Sequence, residues 1–140
     1  MRFRIAALLL FASMAVAAPS KIMVRDPWVS VPVGKQQMTA GFLTLRSSGA
    51  DNALVSATCD AVRNLELHKM EESGGKMRME MVDRIELPED EDVRLHPGGL
   101  HLMMIGFTRA IKEGDVLSVR LRFADGTTTV VKMPVRRREG

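Results

Sequence analysis

The chain lacks most of the features that would place it among disulfide-rich, helical or catalytic proteins. Cys59 is the only cysteine among 140 residues, so no disulfide can form within the chain. No long stretch after the N-terminal region has helical periodicity, and there is no internal repeat. A nucleophile elbow, a pair of catalytic carboxylates and a phosphate-binding loop are also missing, and a hydrolase is therefore not expected.

The N-terminal residues have the pattern of a secretory signal. Arg2 and Arg4 precede an apolar run at residues 5–16, and Ala15 and Ala17 supply the small residues for cleavage after Ala17. The run is too short to span a bilayer as a permanent helix, and no cysteine near the cut offers a site for lipid attachment. The predicted organisation is a signal at residues 1–17, one domain at 18–135 and a charged tail at 136–140.

The charge balance excludes a further class of partner. The whole chain has 20 Lys and Arg against 17 Asp and Glu, but two of the arginines lie in the predicted signal. The formal charge after cleavage is therefore +1, from 18 basic and 17 acidic residues, and nucleic acid is not an expected partner. Export indicates an oxidising compartment, in which a domain of about 120 residues without disulfides depends on its hydrophobic core.

What the chain does contain is a series of short apolar or alternating runs separated by turn residues. This pattern is typical of an all-β sandwich or barrel. Asp125-Gly126, between two such runs, is the strongest hairpin signal. We predict an antiparallel β-sandwich of about seven to nine strands. The candidate strands are residues 28–31, 39–46, 53–58, 64–70, 77–82, 92–95, 100–106, 116–123 and 127–135.

Methionine and histidine are concentrated in one part of the chain. Nine methionines remain after the signal, and six of them, with all three histidines, lie between residues 68 and 104. Side chains two residues apart on a strand share a face, so several of these residues form one-sided groups. Both a core filled with flexible methionines and a shared metal site are compatible with this spacing. The groups are His68 with Met70, Met77 with Met79 and Met81, and His101 with Met103.

If the three segments are neighbours in the sandwich, their donor types select the metal. Thioethers are soft, neutral ligands that suit Cu(I), and imidazole accepts several borderline ions. Zinc sites very rarely use thioethers, and calcium and magnesium need oxygen ligands that this group lacks. Two imidazoles and two thioethers would hold Cu(I) without adding charge, so Cu(I) is the expected ion.

The positions of His68, Met79, His101 and Met103 fit the formula H-x10-M-x21-H-x-M. This formula is the motif of the periplasmic copper chaperones known as PCuAC, and the chain resembles them along essentially its whole length after the signal. The similar segments are "QQMTAGFLTLRSSG", "LELHKM", "GGKMRM" and the run from "LHPGGLHLMMIGF" through "IKEGD". The resemblance implies a cupredoxin-like Greek-key β-sandwich and one Cu(I) ion per chain, bound near the surface by these four residues.

The same resemblance implies a function. The protein would be a monomeric metallochaperone in the periplasm that delivers copper by ligand exchange. Its partner would be a copper-accepting protein, either a subunit of cytochrome c oxidase or a copper-assembly factor. Copper storage or detoxification is the alternative, and a copper-free assembly module is a further one.

Other residues of these segments receive different assignments. Trp28 and Met104 are predicted to lie in the core, and His96 is predicted to be a solvated turn residue. Cys59 is interpreted as a small packed residue, because a blue copper site would need a histidine and a methionine shortly after the cysteine. Met70 and Met77 fit the pattern around the motif, either as extra donors at its rim or as packing residues.

Overall fold

A computed structural model of the chain describes Ala12 and residues 20–139, and these residues form ten β-strands. The predicted signal, residues 1–17, lies outside the described residues except for Ala12. The described part of the chain contains no helix, and so none that is long and apolar enough to cross a membrane. The strands are β1 (Lys21–Ser30), β2 (Met38–Ser48), β3 (Asn52–Cys59), β4 (Val62–Ser73), β5 (Lys76–Met81), β6 (Ile85–Leu87), β7 (Asp92–Leu95), β8 (His101–Phe107), β9 (Val116–Phe123) and β10 (Thr128–Arg136).

Backbone hydrogen bonds link the strands into one path, in the order β5-β4-β8-β2-β1-β10-β9-β3-β6, with β7 paired to β2 beside it. The pairings between named strands are antiparallel except that of β1 with β10, in which Val29 lies opposite Val135. Ten strands and one parallel pair differ from the predicted antiparallel arrangement of seven to nine. The parallel pair joins the first and last strands, which need no short connection between them.

The two halves of this path pack against one hydrophobic core. Gly41 of β2 lies so close to β8 and β10 that a Cβ added to it would be 3.2 Å from Met104 Cε and 3.3 Å from Met133 Cε. Leu102 and Met104 of β8 are completely buried in this core together with Leu121 of β9. The prediction that Met104 is a core residue is therefore confirmed. Packing of two sheet halves through their inner faces is the arrangement of a β-sandwich.

The predicted strands correspond to nine of the ten observed strands. β6 is the exception, because its three residues are too few to show alternation. β1 begins at Lys21 and not at residue 28, because a bulge lets the strand continue past Pro27. The register shifts between Arg25 and Trp28, and Asp26 has a φ of 50°. The predicted Asp125-Gly126 turn does join β9 to β10, and the Gly126 amide donates to the Phe123 carbonyl at 2.9 Å.

A two-residue turn joins β4 to β5 and fixes their register. Gly74 and Gly75 form this turn with φ values of 60° and 77°, which glycine adopts without the steric cost of a Cβ. Within the hairpin, Met70 lies opposite Met79 and His68 lies opposite Met81. The turn therefore decides which side chains of β5 come next to those of β4.

Candidate metal centre

His68 and His101 are direct neighbours on adjacent strands. β4 pairs antiparallel with β8, and His68 is the cross-strand partner of His101. Side chains of such a pair project from the same face of the sheet. The centroids of the two imidazole rings are 5.7 Å apart, and the rings are inclined by 50°. Two of the four predicted ligands are therefore brought together by the sheet itself.

Each imidazole is held by a hydrogen bond through one of its nitrogens. His101 Nδ1 lies 2.9 Å from the carbonyl oxygen of Gly99, and His68 Nε2 lies 2.7 Å from Glu66 Oε2. A carbonyl and a carboxylate oxygen only accept hydrogen bonds, so these nitrogens carry the proton in the neutral rings. The other two nitrogens, His68 Nδ1 and His101 Nε2, then carry the lone pairs.

The two remaining nitrogens are buried and have no hydrogen-bond partner. His68 Nδ1 and His101 Nε2 are the only side-chain nitrogen or oxygen atoms in this state within the described residues. A buried polar atom without a partner costs about 1–3 kcal/mol, so such atoms indicate a missing partner or a functional role. A metal ion is one partner that two imidazole lone pairs could share.

Burial also favours the neutral form of His101. Desolvation lowers the pKa of this imidazole below its ordinary value of 6.5. The hydrogen bond to the Gly99 carbonyl acts in the opposite direction, and the charges of His68 and Arg138 add to the lowering of the pKa. A neutral imidazole keeps the lone pair that a metal ion needs, so the environment of His101 suits a ligand.

Met103 and Met79 lie on the same face of the sheet as the two histidines. Met103 is two residues after His101 on β8 and is buried, with an exposed fraction of 7%. Met79 is on β5, the edge strand next to β4, and is 49% exposed. The four predicted residues thus share one face, with a covered side at β8 and an open side at β5.

The surroundings of these four residues contain further thioethers. Met77 and Met81 share one face of β5 with Met79, and Met70 lies opposite Met79 on β4. Met77 is 55% exposed, so it does not pack in the core. Within residues 20–139, no three His, Cys, Asp or Glu side chains gather into a group that could hold a metal ion. The carboxylate on this face nearest to His68, that of Glu66, is hydrogen-bonded to His68 Nε2. The two imidazole nitrogens without a partner and the thioether sulfurs form a donor set that favours Cu(I).

The turn before β8 positions the Gly99 carbonyl that holds His101. Gly98 has a φ of 85°, in the left-handed region, and a Cβ on Gly99 would lie 2.7 Å from His96 Nε2. The Gly99 carbonyl also accepts a hydrogen bond from the backbone amide of Met70 at 3.2 Å, which ties the turn to β4. His96 is exposed, as predicted, and its Nδ1 is 3.0 Å from the Pro97 carbonyl.

An aromatic pair, Phe42 on β2 and Trp28 on β1, lies next to His101. The ring of Phe42, on β2, is buried 6.5 Å from the ring of His101 and 4.8 Å from that of Trp28. Trp28 is only partly buried and carries the guanidinium of Arg136 at 4.6 Å above its ring, so its prediction as a core residue is wrong. The guanidinium of Arg138 lies 5.7 Å from the Phe42 ring.

Cys59 lies apart from these donors in the sheet. It is the last residue of β3, where its cross-strand partner is Val119 of β9. Burial raises the pKa of its thiol above the ordinary value, although a backbone hydrogen bond from Ala61 acts against this. A raised pKa disfavours the thiolate that a metal would bind, which agrees with the interpretation of Cys59 as a packed residue.

With the fold and the histidine pair described, comparison with known proteins identifies the family. Residues 22–135 match the family described as "Putative lipoprotein LpqE-like". The chain belongs to the LpqE-like family. The "Putative lipoprotein Lxx21020" of Leifsonia xyli subsp. xyli is 32% identical over 117 residues, which cover 82% of this chain and 69% of that protein.

Solved structures of PCuAC domains have the same fold. A copper-bound PCuAC domain from PmoF2 superimposes with a TM-score of 0.72 at 19% identity, covering 86% of this chain and 97% of that domain. The solution structure of CuI-DR1885 from Deinococcus radiodurans gives a TM-score of 0.69 at 26% identity, covering 89% and 83% respectively. The predicted cupredoxin-like β-sandwich and the resemblance to the PCuAC proteins are therefore confirmed.

Sequence reasoning missed the groups that orient the histidines. Glu66 is two residues before His68 on the same face of β4, and this spacing alone could have indicated it. The Gly99 carbonyl could not have been found in this way, because every residue has a carbonyl and only the turn geometry selects this one. Phe42 was likewise unpredictable, since its contact with His101 depends on the pairing of β2 with β8.

Proposed function

We propose that the protein binds one Cu(I) ion through His68, Met79, His101 and Met103 and passes it to a copper-accepting protein. The observation that carries this proposal is the pair of buried imidazole nitrogens without partners, His68 Nδ1 and His101 Nε2. By strand register, both histidine side chains lie on the face that also carries the two thioethers. Two neutral nitrogens and two neutral sulfurs suit a soft monovalent ion better than Zn²⁺ or Ca²⁺.

The distribution of exposure supports transfer by ligand exchange. His101 and Met103 are 4% and 7% exposed, whereas Met79 on the edge strand is 49% exposed. An acceptor would therefore displace the edge thioether first, while the buried half still holds the ion. The oxidation state does not change in such a step, because one copper–sulfur bond breaks as a bond to the acceptor's donor atom forms.

The relatives support copper binding and a site of action outside the cytoplasm, but they do not identify the ligands or the recipient. DR1885, which is 26% identical to the chain, is named as a Cu(I)-bound protein in its solution structure. The LpqE-like family is described as lipoproteins, which fits a site of action outside the cytoplasm. We infer that the protein acts in the periplasm after cleavage of the signal at residues 1–17. Mass spectrometry of the exported protein would test the cut after Ala17.

The test of the site is a competition titration of the mature protein with a chromogenic Cu(I) chelator. We expect one tightly bound Cu(I) per chain. Loss of an outer-shell partner weakens metal binding by about 10- to 100-fold, so His101→Ala and Met103→Ala should weaken it at least as much. Met23→Ala is the matched control, because Met23 is an exposed methionine on β1, two strands away from β8 in the sheet. Absence of Cu(I) binding would refute the function. A Cu(I) affinity that stays unchanged when each of the four proposed ligands is replaced by alanine would refute the site.

The recipient that we infer is the copper centre of cytochrome c oxidase, reached directly or through an assembly factor. A strain without the protein should then lose oxidase activity when copper is limiting and recover it when copper is added. Unchanged oxidase activity with increased sensitivity to copper would favour storage or detoxification. Normal behaviour in both assays, together with no Cu(I) binding in vitro, would favour a copper-free assembly module.

A further inference from the structure

Packing in the hydrophobic core does not explain the three methionines of β5. Met77, Met79 and Met81 are 55%, 49% and 61% exposed, although a methionine side chain stabilises the folded protein mainly when it is buried. All three project from the face that carries His68 and His101. Met81 is the most exposed of the three and lies outside the four-residue motif. Its position on β5 therefore needs another explanation.

The register of the hairpin places Met81 closer to His68 than Met79 is. Met81 is the direct cross-strand partner of His68, whereas Met79 is the partner of Met70. Direct partners have Cβ atoms about 4.5–5.5 Å apart, and diagonal neighbours are about 7–8 Å apart. A methionine side chain is long and flexible enough to bring its sulfur to His68 from either position. His68 thus has two thioethers within reach on the edge strand.

The backbone holds Met81 firmly at this position. The amide of Val82, the next residue, donates to the carbonyl of Leu67 at 2.8 Å, so the end of β5 is fastened to β4 beside His68. Met77, at the other end of the strand, lies opposite Glu72. It is four residues from Met81, or about 13 Å along the strand, which is too far to share a metal ion with His68.

We propose that Met81 is a fifth copper donor, which shares with Met79 the coordination position on the β5 side of His68. This inference rests on the proposed Cu(I) site and adds a ligand to it. In the exchange, a bond from copper to one thioether forms as the bond to the other breaks. Copper stays Cu(I), both sulfurs stay neutral, and no proton moves. The ion therefore remains bound by β5 while one thioether is displaced.

The experiment compares Met79→Leu, Met81→Leu and the double variant in the mature protein, with Met77→Leu as control. Leucine removes the sulfur and nearly conserves the volume, and all three positions are exposed, so the fold is not at risk. We expect each single variant to weaken Cu(I) binding by less than about 10-fold and the double variant by more than the product of the two, as for coupled residues. Met77→Leu should bind as the wild type does.

A second measurement observes the thioethers directly. Methionine ε-methyl resonances of the ¹³C-labelled protein should shift for both Met79 and Met81 when one equivalent of Cu(I) is added, and should not shift for Met77. If Met81→Leu has no effect in either the wild type or Met79→Leu and the Met81 methyl does not shift, this inference is wrong and the four-residue site stands. If the wild type binds no Cu(I), the proposed function itself is wrong.

Discussion

His68 and His101 lie directly opposite each other on β4 and β8, and each ring leaves one buried nitrogen without a hydrogen bond. The partners of the other two nitrogens differ in kind. His68 is held by the carboxylate of Glu66, and His101 by the backbone carbonyl of Gly99. As a result, the δ nitrogen of one ring and the ε nitrogen of the other are the atoms with lone pairs.

Glu66 should strengthen copper binding without being a ligand. Its carboxylate fixes the proton of His68 on Nε2, so Glu66→Ala would let the proton move to Nδ1, the atom that would bind copper. We expect Glu66→Ala to weaken Cu(I) binding by about 10- to 100-fold and Glu66→Gln by less, because a glutamine oxygen still accepts the hydrogen bond. Chelator competition measures the affinity, and imidazole ¹⁵N shifts report the tautomer. Glu72→Ala, on the same face but farther along β4, is the control.

Met103 and Met104 are adjacent in sequence, but replacement by leucine should lower the Cu(I) affinity only at Met103. Met103 shares the face of the histidines, whereas Met104 is completely buried in the core. Replacement of either by leucine nearly conserves volume and should cost less than about 1.5 kcal/mol of the free energy of unfolding. Met103→Leu should lose most of the Cu(I) affinity, and Met104→Leu should retain it. Equal affinities for the two variants would contradict the assignment of faces.

The stability of the copper-free protein should depend on pH through His101. Because burial lowers the pKa of His101 in the folded state, the unfolded state binds more protons between that pKa and 6.5. The free energy of unfolding should therefore be highest above pH 6.5 and fall as the pH decreases towards the folded pKa. The slope from this one group is at most about 1.4 kcal/mol per pH unit.

Urea unfolding at a series of pH values would measure this dependence. His101→Gln, which cannot gain a proton in this range, should have a flatter profile. Arg138→Gln removes one of the charges that lower the pKa of His101 and should reduce the slope slightly. Parallel profiles for the wild type and His101→Gln would show that His101 does not cause the loss of stability.

Cys59 should be irrelevant to copper binding. Its strand, β3, is separated from β4 in the hydrogen-bonded path, and burial raises the pKa of its thiol. We expect Cys59→Ser to bind Cu(I) with wild-type affinity, and oxidation of the loaded protein to give no intense blue colour. An intense blue absorption that disappears in Cys59→Ser would instead identify an electron-transfer copper site.

The alternation of residues within each strand was predictable from the sequence. His101 with Met103, and Leu102 with Met104, separate onto two faces because strand geometry has a period of two. The turn at Gly74 and Gly75 is also a local signal, and it fixes the register of β4 with β5. These local rules are sufficient to find nine strands and the one-sided His and Met groups.

The adjacency of distant strands was not predictable from such rules. His68 and His101 are 33 positions apart in sequence, with three strands between β4 and β8 in chain order, and only the complete fold pairs them. The family resemblance supplied that relationship in place of a physical argument. The start of β1 was also not predictable from the sequence. Asp26 and Pro27 resemble a strand break, although the chain accommodates them in a bulge.

The location of β8 between β4 and β2, and of β5 at the sheet edge, has an evolutionary consequence. A residue that replaces His101 must fit between two neighbouring strands, beside the Phe42 ring and against the turn at Gly99. A change at Met79 or Met81 affects one neighbouring strand and a surface that is already exposed. Descendants of this sequence could therefore vary the thioethers one at a time, and adapt to different recipients, while the imidazole pair is inherited unchanged.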